Sequence, residues 1–313
     1  DIGFFFYNGG GDSQDTTFKV SEMAKKLKFP LQCIGIPKTV DNDLPYTDCS
    51  PGFGSVAKYV ATSTLEAGLD VKSMAETSTK VFILEVMGRH AGWIAAASCL
   101  AASNQGDPPH IILLPEVPFE KGKFIAQVKQ TVKSNGYCVI VASEGTKTKA
   151  GKFLADSGLT DAFGHKQLGG VAPVISSMVS KIGLKNHWAV ADYLQRSARH
   201  IASKTDLDQA YAVGVKAVKL AVAGKTAVMP VIKRLSDTPY KWQIGTAPLK
   251  NIANIEKSVP RKFISKDGFA VTSAGRRYLN PLIQGEAPTS FKHGMPEVAL
   301  LKKSFVKKKL KKF

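Results

Sequence analysis

The sequence predicts an open α/β fold built on mostly parallel sheets. Three observations carry that prediction. Strand-like and helix-like patterns alternate from the first residues to about Gly145. The strand-like runs are almost continuously apolar, as parallel strands covered on both faces require. Polar turns, several with glycine, follow the strands at their carboxyl ends, where open α/β sheets bind ligands. A chain of 313 residues is long enough for one large or two medium domains.

The elements follow in order. "IGFFFY" reads as a buried strand and "DSQDTTFKVSEMAKKL" as a helix opened by an Asp or Ser cap. "LQCIGI" is a strand, and "SPGFGSVAKYVATSTLEAGL" contains the next helix. "KVFILEVM" is a strand followed by the helix "GWIAAASCLAAS". "HIILLPE" is a strand, "FEKGKFIAQVKQTVKSNG" a helix ending at Gly136, and "YCVIVASEG" a strand. The texture then changes. "TKTKAGKFLADSG" reads as a polar excursion or hairpin, "GGVAPVISSMVSKIG" as a helix, "HWAVADYLQ" as a strand and "SKTDLDQAYAVGVKAVKLAVAG" as a long helix. "KTAVMPVI" and "YKWQIGTAPL" read as strands and "TSAGRRYLNPLIQG" as a late helix. A soft boundary falls near residues 108–112, with the segment after residue 220 crossing back to pack on both halves. Residue 1 lies directly at a core strand. This predicts that one or more strand–helix units precede the given numbering.

Composition narrows the function classes. The chain is 44% hydrophobic and 22% charged, and no apolar run is long enough to span a bilayer. Cys33, Cys49, Cys99 and Cys138 show no CxxC spacing, and three lie in apolar runs. They read as small buried residues of a reduced, cytoplasmic protein rather than disulfides or zinc ligands. The net charge is +18, with seven lysines in the last twelve residues, "KKSFVKKKLKKF"; the body carries +11 without them. That tail, residues 302–313, reads as a solvated tail, as a contact to an anionic partner or acidic subunit, or as a nucleic-acid contact. No zinc finger, RNA-recognition motif or helix-turn-helix accompanies it, so no nucleic-acid partner is expected. A basic body suits small, highly anionic substrates.

The chemistry concentrates at strand ends. "NGGGDSQDT" joins a strand to a helix; its glycines, Gly10 and Gly11 among them, let backbone N–H groups approach an anion. A plain tight turn is the competing reading, and neither GxGxxG nor the P-loop pattern is present. Asp12 there must bind metal, cap the helix or exclude something. "PKTVDNDL" is more specific. A carboxylate can take the proton of an attacking hydroxyl, a lysine can stabilise the transferring phosphoryl group, and a second carboxylate can orient a metal or hold the loop. "EVMGRHAGW" places Arg89 at a strand mouth, "LLPEVPF" places Glu116 where it could accept from sugar hydroxyls, and "DYLQRSARH" sets Tyr193 and Arg196 three apart, able to grip a phosphate. Together these describe a pocket for a phosphorylated polyol.

"PKTVDNDL", "EVMGR", "PEVPF", "SEG", "YLQRSA", "ASKTDLDQAYAVG" and "AGRRYLNPLIQGE" occur in the order in which the phosphofructokinase family carries them. The chain resembles that family, in its pyrophosphate-dependent branch, over nearly its whole length. The resemblance implies two Rossmann-like α/β/α domains. Residues 1–108 would form an incomplete donor-binding domain, 109–220 a sugar-phosphate domain, and 221–313 the returning segment. It implies transfer from pyrophosphate, with Mg²⁺ neutralising the phosphates, to the 1-hydroxyl of fructose 6-phosphate in a homo-oligomer, a dimer or tetramer. Asp41 would be the base, supported by Lys38 and Thr39. Thr39, Val40, Asp41, Met87, Gly88, Arg89 and Glu116 would line the sugar site, and Tyr193 and Arg196 would hold the 6-phosphate. Lys80 would reach into a neighbouring subunit's site.

Donor choice rests on Lys38, where ATP-using relatives commonly carry glycine, and on Asp12, whose carboxylate would repel a third phosphate. Gly10 and Gly11 complete the donor turn. In this register Gly11 replaces the family's usual acidic metal contact, so the metal ligand is left unassigned. In the other register Asp12 is itself the metal contact. An ATP-dependent phosphofructokinase, or a truncated sugar-phosphate-binding subunit, are the alternatives.

Overall fold

The structure, a computed structural model, describes residues 2–160, 166–168, 170–305 and 307. In chain order the elements are β1 (Phe4–Gly9), α1 (Gly11–Lys26), β2 (Gln32–Pro37), α2 (Phe53–Met74), β3 (Val81–Val86), α3 (Trp93–Ala97), β4 (Ile111–Leu113), α4 (Lys121–Asn135) and β5 (Cys138–Ser143). They continue with β6 (Asp156–Thr160), β7 (Lys166–Leu168), α5 (Val171–Ser180), β8 (Asn186–Val190), α6 (Leu194–Ser197), α7 (Lys204–Val222), β9 (Val228–Asp237), β10 (Tyr240–Pro248), α8 (Ser273–Leu279), β11 (Phe291–Lys292) and β12 (Met295–Pro296). The first main sheet runs β1-β2-β9-β10, parallel except for the last pair. The second runs β4-β5-β3-β8 and is parallel throughout. Strand β3 therefore belongs to the second sheet although it precedes residue 109, and the chain returns to the first sheet at β9.

Alternation along the strands sorts side chains to opposite faces. In the second sheet, Leu84, Ile112 and Val141 pack with Phe53 and Val60 of α2 and Ile94 of α3. Their neighbours Ile83, Ile111 and Ile140 pack on Phe124 and Val128 of α4 and Val171 and Ile175 of α5. In the first sheet Ile34 meets Ala217 and Leu220 of α7, while Gly35 faces α1. A Cβ at Gly35 would stand 1.9 Å from Gln14 Oε1. That close approach lets the buried Gln14 Nε2 donate to Gly9 O at 2.9 Å and Ile36 O at 3.1 Å. One side chain thereby ties α1 to the carboxyl ends of β1 and β2.

Several expectations change. Helix α1 has Gly10 at its N-cap and no side-chain cap; Asp12 lies inside the first turn. Strand β1 is an edge strand exposing Phe4, Phe6 and Tyr7, because no strand pairs with its outer side among the described residues. "HWAVADYLQ" splits into β8 and the short α6, since a turn begins at Asp192, which has positive φ. All four cysteines are free and buried. Residues 308–313 of the lysine-rich tail lie outside the described residues.

Candidate active site

The carboxyl ends of β1, β2, β3 and β5 open onto one cleft of about 780 Å³. Gly10, Gly11, Asp12 and Ser13 supply one wall, Thr39, Val40, Asp41 and Asp43 the floor, and Met87, Arg89, Glu144 and Arg196 the opposite wall. A fourth side comes from Asn254, Ile255 and Glu256. At the start of α1, Gln14 N already donates to Gly10 O. The amides of Gly11, Asp12 and Ser13 precede the first helical acceptor and remain for an anion.

The loop after β2 is closed at its neck. Thr39 pairs with Gly52, and Thr39 N donates to Pro51 O at 3.2 Å. Inside it, Asp41 N donates to Thr39 Oγ1 at 3.1 Å. Asn42 adopts positive φ; its Oδ1 accepts from Ser50 N at 3.0 Å and its Nδ2 donates to the Tyr278 hydroxyl at 3.1 Å. Arg234 Nε holds both oxygens of Asp48 at 3.0 Å. The loop is thus braced by β9 and α8, whose residues lie far along the chain. Burial raises the Asp41 carboxyl to about 7, with Asp43 and Glu144 pushing the same way and Arg89 and Arg196 opposing. Burial also raises Asp43 and Glu144. A carboxyl held near neutrality beside two guanidinium groups can accept a proton and face anionic groups together.

The turn after β3 depends on Gly88, whose φ of +128° suits glycine and whose added Cβ would meet Ala91 O at 2.7 Å. Its carbonyl accepts from Ser143 Oγ, and its amide reaches Glu144 Oε1 at 3.4 Å. That sets Arg89 at the mouth. The guanidinium of Arg196 lies 4.0 Å from the Tyr193 ring centroid. Arg196 lines both this cleft and an adjoining one of about 740 Å³ that holds Lys38, Tyr193 and Arg199.

Most predicted residues therefore converge. Gly10, Gly11, Asp12, Thr39, Val40, Asp41, Met87, Arg89 and Arg196 share the first cleft, and Gly88 shapes it. Lys38 and Tyr193 line the adjoining cleft. Glu116 is set behind the turn: Oε1 accepts from Gly92 N and Val259 N, each at 2.9 Å, and Oε2 is buried with no hydrogen-bond partner among the described residues. Lys80 sits at the amino end of β3, away from the cleft, where its ammonium donates to Ala75 O and Glu76 O at the end of α2. The residue-level reading passed over Glu144, His90, Asn254, Glu256 and Lys257. Glu144 and His90 lay inside quoted motifs; "NIEK" carried no pattern of its own.

Among the described residues no group of three or more His, Cys, Asp or Glu side chains could cage an ion. Asp43 Oδ1, however, is buried without a partner. A hard divalent cation that takes its remaining ligands from phosphate oxygens and water fits such a carboxylate.

A parallel α/β fold bringing an elevated carboxyl, two guanidinium groups and a bare helix start into one cleft has the parts of a phosphoryl-transfer site. The phosphofructokinase family profile matches residues 1–221, and the chain belongs to the phosphofructokinase family. It is 62% identical over 314 residues to a pyrophosphate–fructose 6-phosphate 1-phosphotransferase of Halomonas elongata, covering 100% of this chain and 75% of the relative. The crystal structure of a pyrophosphate-dependent phosphofructokinase from Marinobacter aquaeolei superposes with a TM-score of 0.91 at 58% identity, over 99% of this chain and 75% of that one. That from Nitrosospira multiformis superposes with a TM-score of 0.92 at 57% identity, over 100% and 75%.

Proposed function

We propose that this enzyme transfers a phosphoryl group from inorganic pyrophosphate to the 1-hydroxyl of fructose 6-phosphate, giving fructose 1,6-bisphosphate and phosphate. Charge is similar on the two sides, so the reaction is reversible. The observation that supports this reading best is the position of Asp41 in one cleft with the bare start of α1, Arg89 and Arg196. Pyrophosphate lies against the Gly11–Ser13 amides, where the Asp12 carboxylate disfavours the third phosphate of ATP. The sugar occupies the Met87–Arg89 side, with its 6-phosphate on Arg196 and Tyr193. Glu116, whose Oε1 accepts from Gly92 N, fixes the turn that carries Arg89 beside the sugar. Asp41 takes the proton of the attacking hydroxyl, and Lys38 reaches from the adjoining cleft toward the transferred group. Asp43 would help hold Mg²⁺, which supplies neutralisation of the pyrophosphate charge. The donor half is built on the β1–β2 sheet and the sugar half on the β3–β8 sheet. The enzyme works in the cytoplasm as a homo-oligomer.

The test is product formation from fructose 6-phosphate with pyrophosphate or ATP as donor. Pyrophosphate should be preferred by kcat/KM. Asp41→Asn should lower kcat by about two orders of magnitude or more with sugar binding kept. Preference for ATP would overturn the donor assignment, and wild-type turnover in Asp41→Asn would remove Asp41 from the mechanism.

A further inference from the structure

We propose that Lys257, a residue of the returning segment, is the positioning residue of the base: it grips the Asp41 loop at four points and fixes where the carboxylate stands. Lys257 Nζ donates to Thr47 O at 3.0 Å, to Asp48 O at 2.9 Å and to Asn42 Oδ1 at 3.5 Å. Its backbone N donates to Asp43 O at 2.6 Å. All four acceptors belong to the segment Asn42–Asp48, which begins one residue after Asp41. Lys257 is held in turn by Trp93 Nε1, which donates to its carbonyl at 2.7 Å, and the ammonium lies 5.4 Å from the Trp93 ring centroid.

The choice of acceptors is informative. A buried ammonium usually answers a carboxylate, because desolvating a charge is costly. Here the loop carboxylate Asp48 is already paired with Arg234. Lys257 instead spends its three donors on two main-chain carbonyls and one carboxamide, groups whose only common property is membership of this loop. The neighbours Asn254 and Glu256 extend the grip. Asn254 Nδ2 donates to Asp15 Oδ1 of α1 at 3.0 Å, and Glu256 stands 3.8 Å from His90 beside Arg89. The segment thus touches the donor wall, the base loop and the sugar wall, with Lys257 at its anchored end. When the Lys257 side chain is truncated, Asn42 Oδ1 retains Ser50 N, Asp48 O retains the Tyr278 hydroxyl and Asp43 O keeps the Lys257 main-chain N–H, so of the loop acceptors only Thr47 O loses its donor among the described residues. Side-chain removal therefore loosens the loop without opening the fold.

This role rests on the phosphotransferase reading above, and the test separates the two. Wild type, Lys257→Met, Lys257→Arg, Asp41→Asn and the Lys257→Met/Asp41→Asn double variant are assayed with pyrophosphate and fructose 6-phosphate, and fructose 6-phosphate binding is measured by calorimetry. Inactive wild type sinks the phosphotransferase reading and this role with it. With active wild type, Lys257→Met should lose about 30- to 100-fold in kcat, with KM and sugar affinity changed by less than about threefold. Lys257→Arg should recover much of the loss. In the Asp41→Asn background the same change should cost almost nothing, because there is no base left to place. An equal loss in both backgrounds, a loss confined to KM, or wild-type kcat in Lys257→Met would overturn the proposal. Should methionine not give folded protein, Lys257→Gln, which keeps a donor in the same space, is read by the same criteria.

Discussion

Arg196 faces two clefts at once, and its guanidinium is stacked on Tyr193 with no ion-paired carboxylate among the described residues. A guanidinium held by a ring keeps its fork free for an anion. Arg196→Ala should therefore raise KM for fructose 6-phosphate by about tenfold or more, and KM for pyrophosphate much less. Initial rates with each substrate varied check this; an equal rise in both constants would detach Arg196 from the 6-phosphate. At this scale the sequence was informative where a motif carries both the functional residue and its local geometry. Asp41, Arg89 and Arg196 each follow a strand end within a few residues, so their arrival in one cleft was legible. Lys38 and Asp41 share one motif, yet the chain turns at Val40 and Asp41 between them, and Lys38 lines the adjoining cleft. Lys257 is illegible because its loop partners are more than two hundred residues away and its own stretch is neither strand nor helix.

Strands β4 and β5 show how an element can carry a pH dependence. His110, just before β4, accepts from Val139 N at Nδ1, 3.0 Å, and contacts Gly106 O through Nε2 at 3.2 Å. Only the neutral ring with its proton on Nε2 satisfies both. Burial accordingly lowers its pKa, with Gly106 and Asp107 opposing. The unfolded chain then binds more protons below its own pKa of about 6.5. The contribution of His110 is full above that pH and is lost as pH falls through the lower folded value. His110→Asn keeps an acceptor and does not titrate. The melting-temperature advantage of wild type over this variant should be largest near pH 8 and shrink toward pH 5; a pH-independent difference would refute the assignment. The alternation of strands and helices is legible because β3, β4 and β5 are apolar on both faces. The pattern does not supply the neighbour of each strand: it predicts a buried β1, which among the described residues is an exposed edge.

The whole molecule carries +18, and its proposed substrates are anions. A net positive field raises encounter rates with anions and is screened beyond about 10 Å at 0.1 M salt. The value of kcat/KM for pyrophosphate should fall as ionic strength is raised from about 10 to about 300 mM, with kcat changing less; a flat kcat/KM would show that the charge does not steer substrate. The bracing of the base loop has a different consequence, in time. The loop leaves the ribosome before Arg234, Lys257 and Tyr278, which fix it and lie 186, 210 and 236 residues beyond their loop partners. At ~5–20 residues per second this is a delay of about 10–50 s. During translation the segment bearing Asp41 exists without its supports, so a nascent chain holds the base's sequence but not its placement. Chemical competence arrives late, with the strands and helix that close the first sheet over the loop.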